Sequence, residues 1–281
     1  MDGNGGKLRK SLQQQLRTAK KVLVVDVGGT HVKIYATGHR PAKIDSGPAM
    51  TPREMVQAVL NVVQGWQYEV VSLGYPGPVF NGSPLRDPSN LGPGWVGFNF
   101  QKAFGGPVRI INDAAMQALG SYRGGRMLFL GLGTGLGSAL IIDGVLEPME
   151  LAHLPYKHGK TFEEYVSTAA LKRRGKKKWI KDLFEVVAQL KNALQVEYVV
   201  IGGGNSQKIT TLPPNTYLGD NERAREGGFR LWSLETEAGQ SHQARFSDTQ
   251  ISARLSTSYE YSSHQTPPKD KSTNRIKSRD H

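Results

Sequence analysis

Asp113 follows the apolar run Val108–Ile111 and opens the segment Ala114–Gly120, within VRIINDAAMQALG. A carboxylate at a strand end that faces a cleft can take the proton of an alcohol attacking a terminal phosphoryl group. The plain alternative is that Asp113 simply caps the helix it opens. Two glycine-rich turns flank this carboxylate. In VLVVDVGGTHVKIY (Val22–Tyr35) an apolar run reaches Asp26, turns through Gly28 and Gly29, passes Thr30 and Lys33, and resumes as a second run. Glycines let the backbone approach a phosphate closely and aim its N–H groups at the oxygens. Thr30 adds a hydroxyl, and Asp26 suits a hard cation such as Mg²⁺, directly or through water. A ligand-free Gly-Gly turn would read the same way in isolation. The second turn repeats the design: MLFLGLGTGLGSALII (Met127–Ile142) carries Gly131, Gly133, Thr134, Gly135 and Gly137 between two apolar runs.

Further carboxylates follow. In EPMELAHLPYKHGKTFEEYVS (Glu147–Ser167), Glu150 and His153 stand three apart, a spacing that places both on one face of a helical turn. With Glu163 and Glu164, they suit forked hydrogen bonds to adjacent sugar hydroxyls. His153 and His158 give too few strong ligands for a structural zinc site in a chain without cysteine. The buried-strand pattern VEYVVIGGGNSQ ends in Gly202, Gly203 and Gly204, which read either as a close approach to a nucleoside or as a plain turn.

These residues need strands to present them. Period and punctuation predict strands at Val22–Asp26, Val32–Tyr35, Val70–Gly74, Val108–Ile111, Met127–Gly131, Ser138–Ile142 and Tyr198–Ile201. Helices are predicted over Thr51–Gln64, with Pro52 in its first turn, and over Ala114–Gly120 and Lys181–Leu194. Interleaved strands and helices make an α/β protein. Two matching strand–turn–strand units suggest a duplicated fold with a cleft between the copies. The division expected is a basic polar extension (1–20), an N-terminal lobe (21–112), a C-terminal lobe (113–232) and a disordered polar tail (233–281). Leu8, Leu12 and Leu16 allow one short amphipathic helix in the extension.

The 281 residues include no cysteine, which excludes disulfides and thiolate chemistry and suits a reducing compartment. No apolar run approaches the roughly 20 residues of a membrane helix. The N-terminus lacks the apolar core of a secretory signal, so the expectation is a cytoplasmic protein away from membranes. The formal charge of +12 raises the question of a polyanionic partner. No helix-turn-helix, zinc-finger or RNA-recognition pattern is present, so no nucleic acid is expected. The densest basic run is Lys172, Arg173, Arg174, Lys176, Lys177, Lys178 and Lys181. It reads as a solvated face or as a docking surface for an extended phosphate chain.

In this order, DVGGTHVK, GYPGPV, NLGPGW (which holds Asn90), IND, GLGTGLGSAL, ELAH, GKTFEEYVS and IGGG resemble the ROK sugar kinases, and within them the polyphosphate/ATP glucokinase branch. The similarity runs from about Val22 to Trp232. It implies a two-lobed actin-like ATPase (ribonuclease H-like) fold. It also implies transfer of a terminal phosphoryl group from polyphosphate and/or ATP, with Mg²⁺, to the 6-hydroxyl of glucose or a related hexose. By the same resemblance Asp113 is the base, and Asn90, Asn112, Glu150, His153 and Glu163 hold the sugar. Asp26, Gly28, Gly29, Thr30, Lys33, Gly133, Thr134, Gly135 and Gly203 meet the donor phosphates or nucleotide, with Asp26 toward the Mg²⁺.

Several departures stand out. Many relatives carry a cysteine-rich zinc motif after the histidine; this chain has none, so packing is expected to hold that loop. Ala152 stands where a glycine is usual. The N-terminal extension is too short for the winged helix of ROK repressors. No C-terminal helix is legible after Trp232, so how the small lobe is completed stays open. A sugar sensor without catalysis and an ATP-only kinase for mannose or another hexose are the competing readings. Related kinases are often dimers, but the oligomeric state is not legible.

Overall fold

The structure is a computed structural model that describes residues 20–220 and 222–233. The amphipathic helix expected in the extension and the disordered tail expected after Trp232 lie outside the described residues, except for Lys20 and Ser233.

The opening run forms β1 (Val22–Val27), followed by β2 (His31–Ala36) and β3 (Ala42–Asp45). Helix α1 (Pro52–Val62) leads to β4 (Val70–Tyr75), the small hairpin β5 (Val79–Phe80) and β6 (Ser83–Pro84), helix α2 (Phe100–Phe104) and β7 (Val108–Asn112). Helix α3 (Asp113–Ser121) then crosses to β8 (Arg126–Leu132), β9 (Leu136–Ile142) and β10 (Val145–Met149). Three helices follow: α4 (Glu163–Val166), α5 (Thr168–Arg174) and α6 (Lys176–Leu194). Strands β11 (Tyr198–Gly202) and β12 (Thr216–Leu218) precede the closing helix α7 (Arg223–Arg230).

The strands build two five-stranded sheets, ordered β3-β2-β1-β4-β7 and β10-β9-β8-β11-β12. In each, the first two pairings are antiparallel and the last two parallel. The duplication expected from the two glycine turns is therefore a duplication of sheet topology.

Alternation along β1 sets the layers, because successive side chains leave a strand on opposite faces. Leu23, Val25 and Val27 pack with Met55, Val56 and Val59 of α1, whereas Val22 and Val24 face Met116 of α3 and Ala224 of α7. In the second lobe Leu128, Leu130 and Leu132 of β8 pack on Trp179, Leu183 and Val186 of α6, and Met127 and Phe129 face α3. Helix α3 is thus clad by both sheets. Thr51 caps α1 through a reciprocal pair with Glu54: its hydroxyl accepts from the Glu54 N–H at 3.3 Å, and its own N–H donates to Glu54 Oε2 at 2.8 Å.

Helix α7 supplies the missing cover for the first sheet. Ser72 of β4 donates its hydroxyl to Gly228 O at 2.6 Å and accepts from Trp232 Nε1 at 2.9 Å. Arg109 of β7 donates to Leu231 O at 2.6 Å and lies over the Trp232 ring at 4.2 Å. The covering helix therefore sits just before Trp232, where two glycines and three arginines hid it from periodicity. It crosses α3 at Gly227 and Gly120, with backbone against backbone: a Cβ on Gly120 would stand 2.8 Å from Gly227 N and collide with Arg223 O. Arg230 locks the crossing by donating to Leu119 O at 3.0 Å and Tyr122 O at 2.9 Å, at the C-terminal end of α3.

Candidate active site

Every loop that leaves the carboxyl end of β1, β4, β7, β8 or β11 converges on one open cleft of about 560 Å³. Asp113, the first residue of α3, opens onto its floor. Asn112 fixes that residue from both sides: its Oδ1 accepts from Ala114 N at 2.9 Å and Ala115 N at 3.3 Å, and its Nδ2 donates to Gly77 O at 3.0 Å. Capping is thus carried by Asn112, although Asp113 Oδ1 also accepts from Ala114 N at 2.7 Å. Burial, followed by the negative charge of Asp26, pushes the Asp113 carboxyl up to about 7. The two readings of this position are therefore divided between adjacent side chains.

The first glycine turn joins β1 to β2. Gly28 N donates to His31 O at 3.0 Å, and Ser46 Oγ donates to Gly28 O at 2.6 Å. A Cβ on Gly29 would lie 2.9 Å from Asn90 Cβ, so only glycine lets Asn90 lie against the turn. Gly28, Gly29 and Asn90 line the cleft. Asp26, Thr30 and Lys33 do not. Lys33 stands 3.9 Å from Asp26, and burial raises the Asp26 carboxyl above the usual carboxylate range against the pull of that lysine.

The second turn joins β8 to β9 and places Gly133, Thr134 and Gly135 in the cleft. The Gly133 carbonyl is turned to protein: it accepts from Thr168 N at 2.9 Å, Thr168 Oγ1 at 2.7 Å and Asn205 Nδ2 at 3.4 Å. Gly203, at φ +81°, packs a Cα where a Cβ would strike the Leu132 backbone, and it too reaches the cleft.

Glu150, His153 and Glu163 line the opposite wall. The helical turn is a single 3-10 turn over Leu151–His153; His153 lies in it, and Glu150 stands just before it with non-helical backbone. Glu163 Oε2 accepts from Leu136 N at 3.1 Å, which ties this wall to the second turn. The loop behind it is held by charge as well as packing. Asp182 of α6, only 3 % exposed, accepts from Arg174 Nε at 2.8 Å and lies 3.4 Å from Lys157 Nζ. Lys157 also pairs with Glu185, and Tyr156 packs edge-on against Tyr165 at 4.9 Å. Packing alone was expected here; the ion pairs of Lys157 were missed because Asp182 and Glu185 lie 25 and 28 residues away in sequence.

Arg86, Asp87 and Gln117 line the cleft without having been singled out in the sequence. Asp87 is absorbed by its own loop, accepting from Gly94 N at 3.1 Å, Trp95 N at 2.8 Å and Val96 N at 3.3 Å. These backbone N–H groups hold its carboxyl below the usual range. An Asp followed by the glycine-rich LGPGW segment was the available signal.

Two sheets of like topology, with crossed helices between them and a cleft at their carboxyl ends, define the two-lobed actin-like ATPase fold. The chain is 30% identical over 214 residues to a polyphosphate glucokinase of Mycobacterium tuberculosis, covering 68% of this chain and 80% of that one. It belongs to the ROK family of sugar kinases, in the polyphosphate glucokinase branch. The polyphosphate glucokinase of Mycobacterium leprae is 29% identical over 216 residues, covering 68% of this chain and 65% of that one. Among solved structures, the inorganic polyphosphate/ATP-glucomannokinase of Arthrobacter sp. strain KM has the same fold, with a TM-score of 0.65 at 24% identity over 77% of this chain and 99% of that one. No family model matches the chain. Among the described residues no helix is long and apolar enough to cross a membrane.

Proposed function

We propose that the chain transfers a terminal phosphoryl group from polyphosphate and/or ATP to the 6-hydroxyl of glucose, giving glucose 6-phosphate. The observation that carries this reading is Asp113, fixed by Asn112 at the head of α3 and flanked by both glycine turns in one cleft. A carboxylate that titrates near neutrality is matched to accepting the hydroxyl proton as the phosphoryl group arrives. Asn112, Asn90, Glu150, His153 and Glu163 are suited to hold the other sugar hydroxyls. The N–H groups of the two turns are suited to the donor oxygens, and lobe closure would exclude water.

Two carboxylates are suited to Mg²⁺: Asp26, just behind the cleft lining, and Asp113 within it, close enough to feel the Asp26 charge. Asp26 is a buried carboxylate whose ammonium partner stands back at 3.9 Å. Among the described residues no group of three or more acidic or histidine side chains is placed to cage a metal. One or two carboxylates completed by water and substrate phosphates is the usual arrangement for this ion. When bound, it would neutralise charge on the donor phosphates.

The names of the relatives support a polymeric donor, and so does the basic run. Helix α5 leaves the second turn at Thr168 and ends in Lys172, Arg173 and Arg174. Arg173 and Arg174 are engaged by Glu164 O and Asp182, whereas Lys172, Lys176, Lys177 and Lys178 are exposed. Three lysines in the first turn of α6 oppose the helix dipole, at a cost of a few tenths of a kcal/mol each. A polyanion would relieve that cost. Replacing Lys176, Lys177 and Lys178 together by Ala is expected to raise the KM for long-chain polyphosphate about tenfold and leave the KM for ATP unchanged. Equal effects on both donors would remove the docking role.

The reading itself is tested by a coupled glucose 6-phosphate assay with each donor supplied alone. Turnover with at least one donor is expected. No product with either donor, from a folded chain that binds glucose, would favour a sugar sensor instead.

A further inference from the structure

We propose that Arg86 is the cleft's own phosphate-binding cation, meeting the donor chain between the first glycine turn and Asp113. The inference rests on the kinase reading above and extends it to a residue outside the motifs that led there.

The charge inventory comes first. Asp87, Asp113, Glu150 and Glu163 line the cleft, and among the described residues Arg86 is the only lysine or arginine that does. Lys33, the nearest cation of the first turn, lies outside the lining and faces Asp26. A phosphate chain entering such a cleft meets mostly carboxylates. Anionic ligands enter efficiently only where fixed positive charge offsets that field. A guanidinium is the side chain best shaped to take phosphate oxygens in pairs.

Position is the second support. Arg86 sits in the loop that joins β6 to Asn90, and Asn90 lies against Gly29. The same loop system reaches the base from the other side, where Gly77 O accepts from Asn112 Nδ2 at 3.0 Å. Arg86 thus lines the same cleft as the turn that would receive the phosphates and the carboxylate that would receive the proton.

Rigidity is the third. Tyr75, a fully buried side chain, donates its hydroxyl to Arg86 O at 2.6 Å. The next residue, Asp87, gathers three backbone N–H groups of the facing loop. The backbone beneath Arg86 is therefore clamped on both sides, and no carboxylate among the described residues pairs with its guanidinium. The neighbouring acid is occupied with amides, which leaves the guanidinium for a ligand. Arg86 is exposed along the cleft wall, so its guanidinium is open to an entering anion.

The test uses the full chain, with Arg86→Gln and Arg86→Lys as variants and inorganic tripolyphosphate and glucose as separate titrants in calorimetry. Arg86→Gln is expected to weaken tripolyphosphate binding at least tenfold and leave glucose affinity within about twofold. Arg86→Lys should recover part of the loss, since it restores charge without the fork. Tripolyphosphate affinity within twofold of wild type in Arg86→Gln would overturn the proposal, as would an equal loss of glucose affinity. If the wild type binds tripolyphosphate through Arg86 yet yields no glucose 6-phosphate with any donor, Arg86 stands and the kinase reading falls.

Discussion

Asp113→Asn is expected to lower kcat/KM for glucose by about 10³ and, at the same time, to stabilise the protein above pH 7. A positioned general base contributes roughly 10²–10⁴, and Asn keeps the shape of the side chain while losing the proton acceptor. In the wild type, kcat/KM should rise with pH below about 7 and level off above it, as the carboxyl ionises. The variant should lose that limb. The stability change follows from the same burial. Asp113 ionises near 3.8 in the unfolded chain and near 7 in the folded one, so the folded state holds its proton more tightly. Stability therefore falls as pH rises between those values, and the whole penalty is present above 7. Discounted for the water that reaches the cleft, the penalty is about 2 kcal/mol. Asn carries no such penalty. Thermal unfolding at pH 5 and pH 8 would show the variant gaining on the wild type at the higher pH. A wild-type pH profile without an acid limb near 7 would contradict this account of the base.

Gly227→Ala should cost about 3 kcal/mol and drop Tm by roughly 6–12 °C, a reversal of the usual sign. Inside an exposed helix the exchange of glycine for alanine gains up to about 1 kcal/mol. Here the new methyl would collide with Met116 O and stand 2.9 Å from Gly120 N, both backbone atoms of α3. Backbone cannot swing aside like a side chain, so the two helices must separate. Separation would also tilt the helix whose first residue is Asp113, so turnover should fall along with stability. Gly47→Ala provides the control, because a Cβ there meets nothing within 4 Å and the backbone is not left-handed. Equal Tm for the two variants would show that the crossing tolerates spacing.

Much of the molecule is legible in the order of its residues because the signals that matter are local. The strands that carry the cleft announce themselves as apolar runs broken by glycine, and the structure lengthens each by one or two residues. Helix α6 begins at Lys176 rather than Lys181, because Trp179 extends the buried stripe of Leu183, Val186 and Leu190 beneath a run of lysines that masks it. Strand β10 escaped notice because Pro148 interrupts it, and proline is tolerated there since β10 is an edge strand. Arg86 carried no local signal at all. Its place depends on a loop folding back onto Asn90 and Gly29, which only three-dimensional contact records. The same holds for the Arg174–Asp182–Lys157 clasp.

The closing helix has a consequence for the order in which the chain is made. The first sheet emerges from the ribosome early, with Val22, Val24 and Val70 on a face that α7 and α3 later cover. Ser72 must wait for Gly228 and Trp232, 156 and 160 residues further on. The second lobe, by contrast, closes its own core between β8 and α6 as soon as those segments exist. Synthesis from the N-terminus therefore leaves one face of the older half uncovered until the younger half, with α7, has been made.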